Sequence, residues 1–185
     1  MTHHQHPLDP DHSIAPEPLF RIAAEDDWPQ IWPVFRAVVA TGDTYMFEPS
    51  IREDRAKAAW MLAGVERSRT YIAKMCGEVV ATAILRPNQP GLGDHVANAA
   101  WMVHPQAAGK GIGRKFADYV MNEARTLGYE AMQFNAVVES NTRAVRLWES
   151  MGFRTVGKVP AAFRTAQDTR ESVLVMYKSL HESLP

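Results

Sequence analysis

"VHPQAAGKGIGRKFADYV", Val103 to Val120, sets Gly109, Gly111 and Gly113 within five positions, between an apolar run and a helical pattern. The run Val96 to Val103 reads as the end of a strand. Beyond the glycines, Ile112, Phe116, Val120, Ala124 and Leu127 recur at helical spacing until Gly128 stops them. A strand that enters a helix through such a turn leaves several N–H groups unpaired and converging, with the positive end of the helix dipole behind them. Glycine allows the close approach and positive φ that an anion nest requires. Lys110, Arg114 and Lys115 add local positive charge, so the stretch fits a phosphate or diphosphate.

Spacing narrows the ligand. A phosphate-binding loop of the G-x-x-x-x-G-K-[ST] type places its lysine after the last glycine and follows it with a hydroxyl; Lys110 precedes two glycines and no such hydroxyl follows. A dinucleotide fingerprint needs G-x-G-x-x-G early in a βαβ unit with an acidic residue about 20 positions on, and these glycines are spaced differently and lie late in the chain.

Outward from this stretch, the chain alternates between two periodicities. "LFRIA", Leu19 to Ala23, reads as a strand, and Glu25 to Gly42 as a helix that starts acidic, with Pro29 and Pro33 fitting only near its first turn. A loop "GDTYMFEPS", Gly42 to Ser50, precedes a second helix over Arg52 to Arg67, with Ala56, Ala59, Trp60 and Ala63 on its apolar face. "TYIAKM" and "VVATAIL" around the turn "CGE" give a hairpin, and "NQPGLGD" separates it from a strand over His95 to Val103. After the glycine-led helix come the strand "EAMQFNAVV", the short helix "NTRAVRLWESMG", and the strands "FRTVGKV" and "ESVLVMYKSL". Strands gathered at both ends with helices between predict an α/β (α+β) fold on one mixed sheet.

The 185 residues, 46% hydrophobic and 22% charged, suit one globular domain over residues 19–185. A net charge of -1 offers no general attraction to nucleic acid or an anionic membrane. Cys76 is the single cysteine, which excludes an intramolecular disulfide and fits a reducing cytoplasm. No apolar run reaches membrane-span length, and the start lacks a signal peptide's apolar core, so a cytoplasmic location is expected. Met1 to Pro18, with four prolines and four histidines, reads as a disordered tail, and its irregular histidine spacing gives no metal site.

Two stretches carry a family resemblance. "VHPQAAGKGIGRKFADYV" resembles the acyl-CoA diphosphate motif of the GNAT superfamily of N-acetyltransferases, and "NTRAVRLWESMGF" resembles that family's following signature. The resemblance covers about Leu19 to Leu180 and is strongest from Val96 to Arg164. It implies a mixed, mostly antiparallel sheet of six or seven strands, splayed between the fourth and fifth, with helices on both faces and acetyl-CoA in the split. No metal is implied.

On that resemblance, the main chain of Met102 and Val103 would bind the pantetheine arm. Gln106, Ala108, Gly109, Lys110, Gly111, Ile112, Gly113 and Arg114 would surround the diphosphate. Asn141 would hold pantetheine by its amide, a role that coexists with capping the short helix. The family often places a tyrosine general acid where this chain has Trp148, whose indole serves as packing wall or neutral donor instead. Where the family often carries a basic glutamate on the fourth strand, this chain offers Asn98.

A narrower similarity is to fungal acetyltransferases of azetidine-2-carboxylate and related proline analogues. It implies that Asn98 and Asn135 reach the acceptor; each equally well satisfies a neighbouring backbone group. The alternation places Asn98 on the face of Ala100 and Met102, and Asn135 on that of Gln133 and Val137. His95 and His104 flank the strand as bases or as solvated residues, and Cys76 has no partner that would support an acyl-cysteine route.

The expected reaction is direct transfer from acetyl-CoA to a small-molecule amine, possibly an amino acid or its analogue, with the Val103 N–H stabilising the oxyanion. Acetylation of protein N-termini or lysines is the alternative within enzymes, decided by whether the 42–50 loop closes the acceptor site or leaves a peptide groove. A non-catalytic acyl-CoA-binding module is the alternative outside them. A homodimer is plausible by family analogy, through apolar edge strands such as "SVLVMY".

Overall fold

The computed structural model describes residues 17–62 and 64–181. The tail expected over residues 1–18 therefore lies almost wholly outside the described residues, as do its histidines and Ala63. Seven strands form one sheet: β1 (Leu19–Ile22), β2 (Arg69–Met75), β3 (Glu78–Pro87), β4 (Val96–Val103), β5 (Ala131–Val138), β6 (Arg154–Arg164) and β7 (Arg170–Ser179). Their order is β1-β2-β3-β4-β5-β7-β6, and only β4 and β5 run parallel.

Four helices cover the faces: α1 (Trp28–Val39), α2 (Glu53–Trp60), α3 (Ile112–Thr126) and α4 (Thr142–Ser150). Ile31, Phe35 and Val39 of α1 and Trp60 of α2 pack with Ile84 and Met102 on one face. Phe116, Val120 and Ala124 of α3 and Trp148 of α4 pack with Ala83, Leu85 and Ala99 on the other. Period-two alternation along β3 and β4 feeds both layers, which is why these central strands are apolar almost throughout.

The second helix is shorter than its periodicity suggests and stops at Trp60, with Met61 extended. The Trp60 carbonyl accepts a hydrogen bond from Thr70 Oγ1 at 2.7 Å, its Nε1 donates to Thr82 Oγ1 at 2.9 Å, and the Leu62 N–H donates to Thr70 Oγ1. Sheet threonines thus serve groups that another helical turn would have used, a tertiary effect invisible to local spacing. Pro33 lies inside α1, where its absent donor would have served the Pro29 carbonyl in the first turn. Strand β6 runs five residues past Val159, through an irregularity between Val159 and Phe163 that leaves Ala161 at a φ of 54°.

Candidate active site

The β4–β5 ladder holds for two pairs, Val96 with Ala131 and Ala97 with Met132, and then ends. Just past it, Asn98 Nδ2 donates to the Gln133 carbonyl at 2.9 Å, so a side chain spans the gap where the main chains part. On β5 the register slips between Phe134 and Val137, inserting one residue opposite β7. A bulge of this kind bends its strand, here at the wall of the split. It also corrects one expected facing: Val137 pairs with Leu174 as Phe134 pairs with Met176, so Val137 shares Phe134's face and not that of Asn135.

Main-chain direction along β4 follows from two bonds. The Asn88 N–H donates to the Val96 carbonyl and the His104 N–H to the Val80 carbonyl, both at 2.8 Å. In an antiparallel pair such groups alternate, so even-numbered β4 residues face β3 and odd-numbered ones face β5. Met102, in register with Thr82, therefore turns its peptide to β3 and buries its side chain under α1. This corrects the expected pair: Trp101 and Val103 carry the main-chain groups that face the split.

A cavity of about 310 Å³ opens there, lined from β4 by Asn98 to Trp101, from β5 by Phe134 to Val138, and by Asn141 at the start of α4 with Ala144 and Trp148 within it. The 42–50 loop covers it with Thr44, Tyr45, Met46 and Phe47. Tyr45 donates its hydroxyl to the Trp101 carbonyl, and Ala166 of the β6–β7 turn donates its N–H to the Gly42 carbonyl at 3.0 Å. Both ties fall within the loop's first four residues. Burial pushes the Tyr45 phenol far above its usual range, so it stays protonated.

The sequence-read residues fall around this cavity in distinct ways. Asn135 is exposed on its wall, donating to Asn88 Oδ1 at 2.7 Å and accepting from Gln133 Nε2 at 2.8 Å. Asn141 Oδ1 caps α4 by accepting from the Ala144 N–H at 3.2 Å. Trp148 is 8% exposed and packs against Trp101 and Phe134, with ring centroids 4.8 and 4.7 Å apart. Its surroundings make it a wall. His95 is exposed, and His104 Nδ1 accepts from the Gln106 N–H at 3.3 Å.

The glycine turn sits at the mouth of the split, where a Cβ added to Gly113 would stand 3.7 Å from Val103 Cγ2. Gly109 and Gly111 take φ values of 86° and 76°, the left-handed region, and Gly111 begins α3. Ala107 and Ala108 spend their amides on the His104 and Pro105 carbonyls, as Gln106 does on His104. The amides of Gly109, Lys110, Gly111, Ile112, Gly113 and Arg114 have no acceptor among the described residues. The cradle is therefore narrower than expected, since Gln106 and Ala108 hold the turn and offer no free N–H. The Arg114 guanidinium is committed to Ser150, donating to its Oγ at 2.7 Å.

Sequence reading passed over Thr44, Tyr45, Arg86 and Trp101. The hairpin register carried a signal for Arg86, which pairs with Asn98 across β3 and β4. Tyr45 is placed by a loop no periodicity describes.

The residues from 24 to 153 match the family model described as Acetyltransferase (GNAT) family. The N-acetyltransferase aca1 of Schizosaccharomyces pombe is 35% identical over 80 residues, which is 43% of this chain and 38% of that relative's length. The chain thus spans well under half of the curated relative it matches. A GCN5-related N-acetyltransferase from Kribbella flavida superposes with a TM-score of 0.83 at 41% identity, over 88% of this chain and 97% of that one. A GNAT superfamily phosphinothricin acetyltransferase from Sinorhizobium meliloti, solved in complex with acetyl-CoA, shares the fold with a TM-score of 0.80 at 18% identity, covering 90% of each chain. The split sheet, the free amides beside it and these matches agree: this chain belongs to the GNAT family of acetyltransferases.

Proposed function

We propose that the protein transfers the acetyl group of acetyl-CoA to the amine of a small molecule. The observation that carries this reading is the run of six free amides, Gly109 to Arg114, at the mouth of a split whose β4 edge presents unpaired main-chain groups. Acetyl-CoA supplies an activated thioester. The amides suit its diphosphate, with the α3 dipole behind them. The Trp101 N–H and the Val103 peptide groups suit the pantetheine arm, the Trp101 carbonyl being taken by Tyr45, and the Val103 N–H is placed to donate to the thioester carbonyl oxygen as negative charge develops there.

In the transfer, the amine nitrogen bonds to the acetyl carbon, the carbon–sulfur bond breaks and its electron pair leaves on sulfur. The amine proton passes to water, because no carboxylate or imidazole lines the cavity among the described residues. Asn98 and Asn135 face the acceptor, and the free Nδ2 of Asn141 serves the pantetheine. Positioning carries much of the acceleration, for which effective molarity is worth about 7 to 11 kcal/mol.

The 42–50 loop, lying over the cavity, favours a small acceptor over a polypeptide. Its ties to Trp101 and Ala166 hold it over a cavity of small-ligand size. The lone cysteine fits action in the cytoplasm. The expected edge "SVLVMY" lies in β7, enclosed between β5 and β6, so a homodimer would instead use the edge strand β6, with exposed Val156 and Val159. Thiol release from acetyl-CoA across a panel of small amines and N-terminal peptides tests the reading. Turnover with small amines alone is expected; release only with peptides, or binding without turnover, would overturn it.

A further inference from the structure

We infer that the acceptor carries a carboxylate beside its amine, and that Arg86 and Thr44 hold that carboxylate. The inference rests on reading the cavity in the split as the acceptor site. Arg86 is the one charged side chain among the residues that line it. No acidic group among the described residues pairs with Arg86. A single guanidinium in an otherwise neutral cavity repels a bare ammonium and attracts an anion, and its planar fork matches a carboxylate.

Two placements make this a built subsite. Arg86 pairs with Asn98, so both side chains lie on the face where Ile84 and Ala100 meet the α1–α2 layer. Thr44 reaches the cavity from the covering loop on the same side, next to Tyr45, whose ring packs on Trp60. Thr44 Oγ1 is buried and has no hydrogen-bond partner in the protein. Buried hydroxyls are rarely left so, and this one, on the lining of the same cavity as Arg86, is satisfied by donating to an anionic oxygen. Asn98 spends one Nδ2 hydrogen on Gln133, and Arg86 is the residue of the lining that brings positive charge to an anion.

The direction of the acceptor follows. From Asn98 to Trp101 the strand advances about 10 Å. A carboxylate anchored at the Arg86 end leaves the neighbouring amine directed along β4, toward the main-chain groups that face the split.

The test compares amino acids with their carboxamides and decarboxylated amines, in wild type, Arg86→Gln, Arg86→Lys and Thr44→Val, by steady-state acetylation. A second arm measures calorimetric binding of N-acetyl amino acids and their amides to the coenzyme A-loaded protein. Wild type is expected to favour the carboxylates about tenfold to a hundredfold in kcat/KM, the range for a charged hydrogen bond. Arg86→Gln should erase the preference through KM, Arg86→Lys should keep part of it, and acetyl-CoA affinity should not change. Turnover with equal use of acids and amides would overturn the carboxylate site while leaving acetyl transfer intact. Carboxylate binding that depends on Arg86, without turnover of any amine, would uphold the subsite and remove the catalytic reading. Preference for acids retained in Arg86→Gln would overturn the assignment to Arg86.

Discussion

Asn98 Nδ2 lies 2.9 Å from the Gln133 carbonyl, one residue beyond the last main-chain pair between β4 and β5. The asparagine therefore pins the apex from which the split opens. Asn98→Ala removes the bridge and leaves a partly buried carbonyl unpaired, so unfolding free energy should fall by about 1 kcal/mol. Urea denaturation checks this, and kcat/KM for the amine should drop in the same variant because the cavity wall is no longer held.

Gly109 adopts a φ of 86° with open space where a Cβ would stand. Gly109→Ala is therefore opposed by backbone strain alone, about 1 to 2 kcal/mol, and should weaken acetyl-CoA binding by misaligning the amides. Gly113→Ala meets only ordinary contact with Val103 and should leave thermal stability unharmed. Thermal melts and calorimetry of both variants check the pair of outcomes.

Tyr45 and Tyr129 are both neutral well past the usual phenol range, Tyr129 because burial raises it to about 12. Unfolded tyrosines release their proton near pH 10. Above that pH the unfolded chain binds fewer protons than the folded one, so stability should fall as pH rises, by about 1.4 kcal/mol per pH unit for each such phenol. Tyr45→Phe should flatten that fall by one phenol's share, read from denaturation curves between pH 9 and pH 11.

Trp148 packs between Trp101 and Phe134 and offers no titratable proton. Losing a general acid costs about 10²- to 10⁴-fold in rate. Trp148→Phe should instead lower kcat by less than about tenfold, with an unchanged pH–rate profile. A new dependence on pH would contradict its role as a wall.

Much of the architecture was legible because it repeats. The apolar run Val79 to Leu85 marks a strand buried on both faces, period 3.6 from Ile112 to Leu127 marks a helix with one buried face, and the glycines mark that helix's start. The site was legible where one residue type answers one local demand, as with Gly109, Gly111 and the α4 cap Asn141. What escaped depends on partners distant in sequence. The bulge that turns Val137 over arises where β5 pairs with β7, α2 stops because β2 and β3 threonines take its end, and Tyr45 finds Trp101 across 56 positions. Met102 and Trp101 differ in role only through the register of β3, which alternation alone leaves open by one residue.

A crystal structure of the chain with acetyl-CoA tests the central claim most directly. The account predicts the diphosphate on the amides of Gly109 to Arg114 and the thioester carbonyl within hydrogen-bond distance of the Val103 N–H, inside the β4–β5 split. A cofactor bound elsewhere, or a split closed by Trp101 and Phe134 with the thioester outside it, would contradict the account.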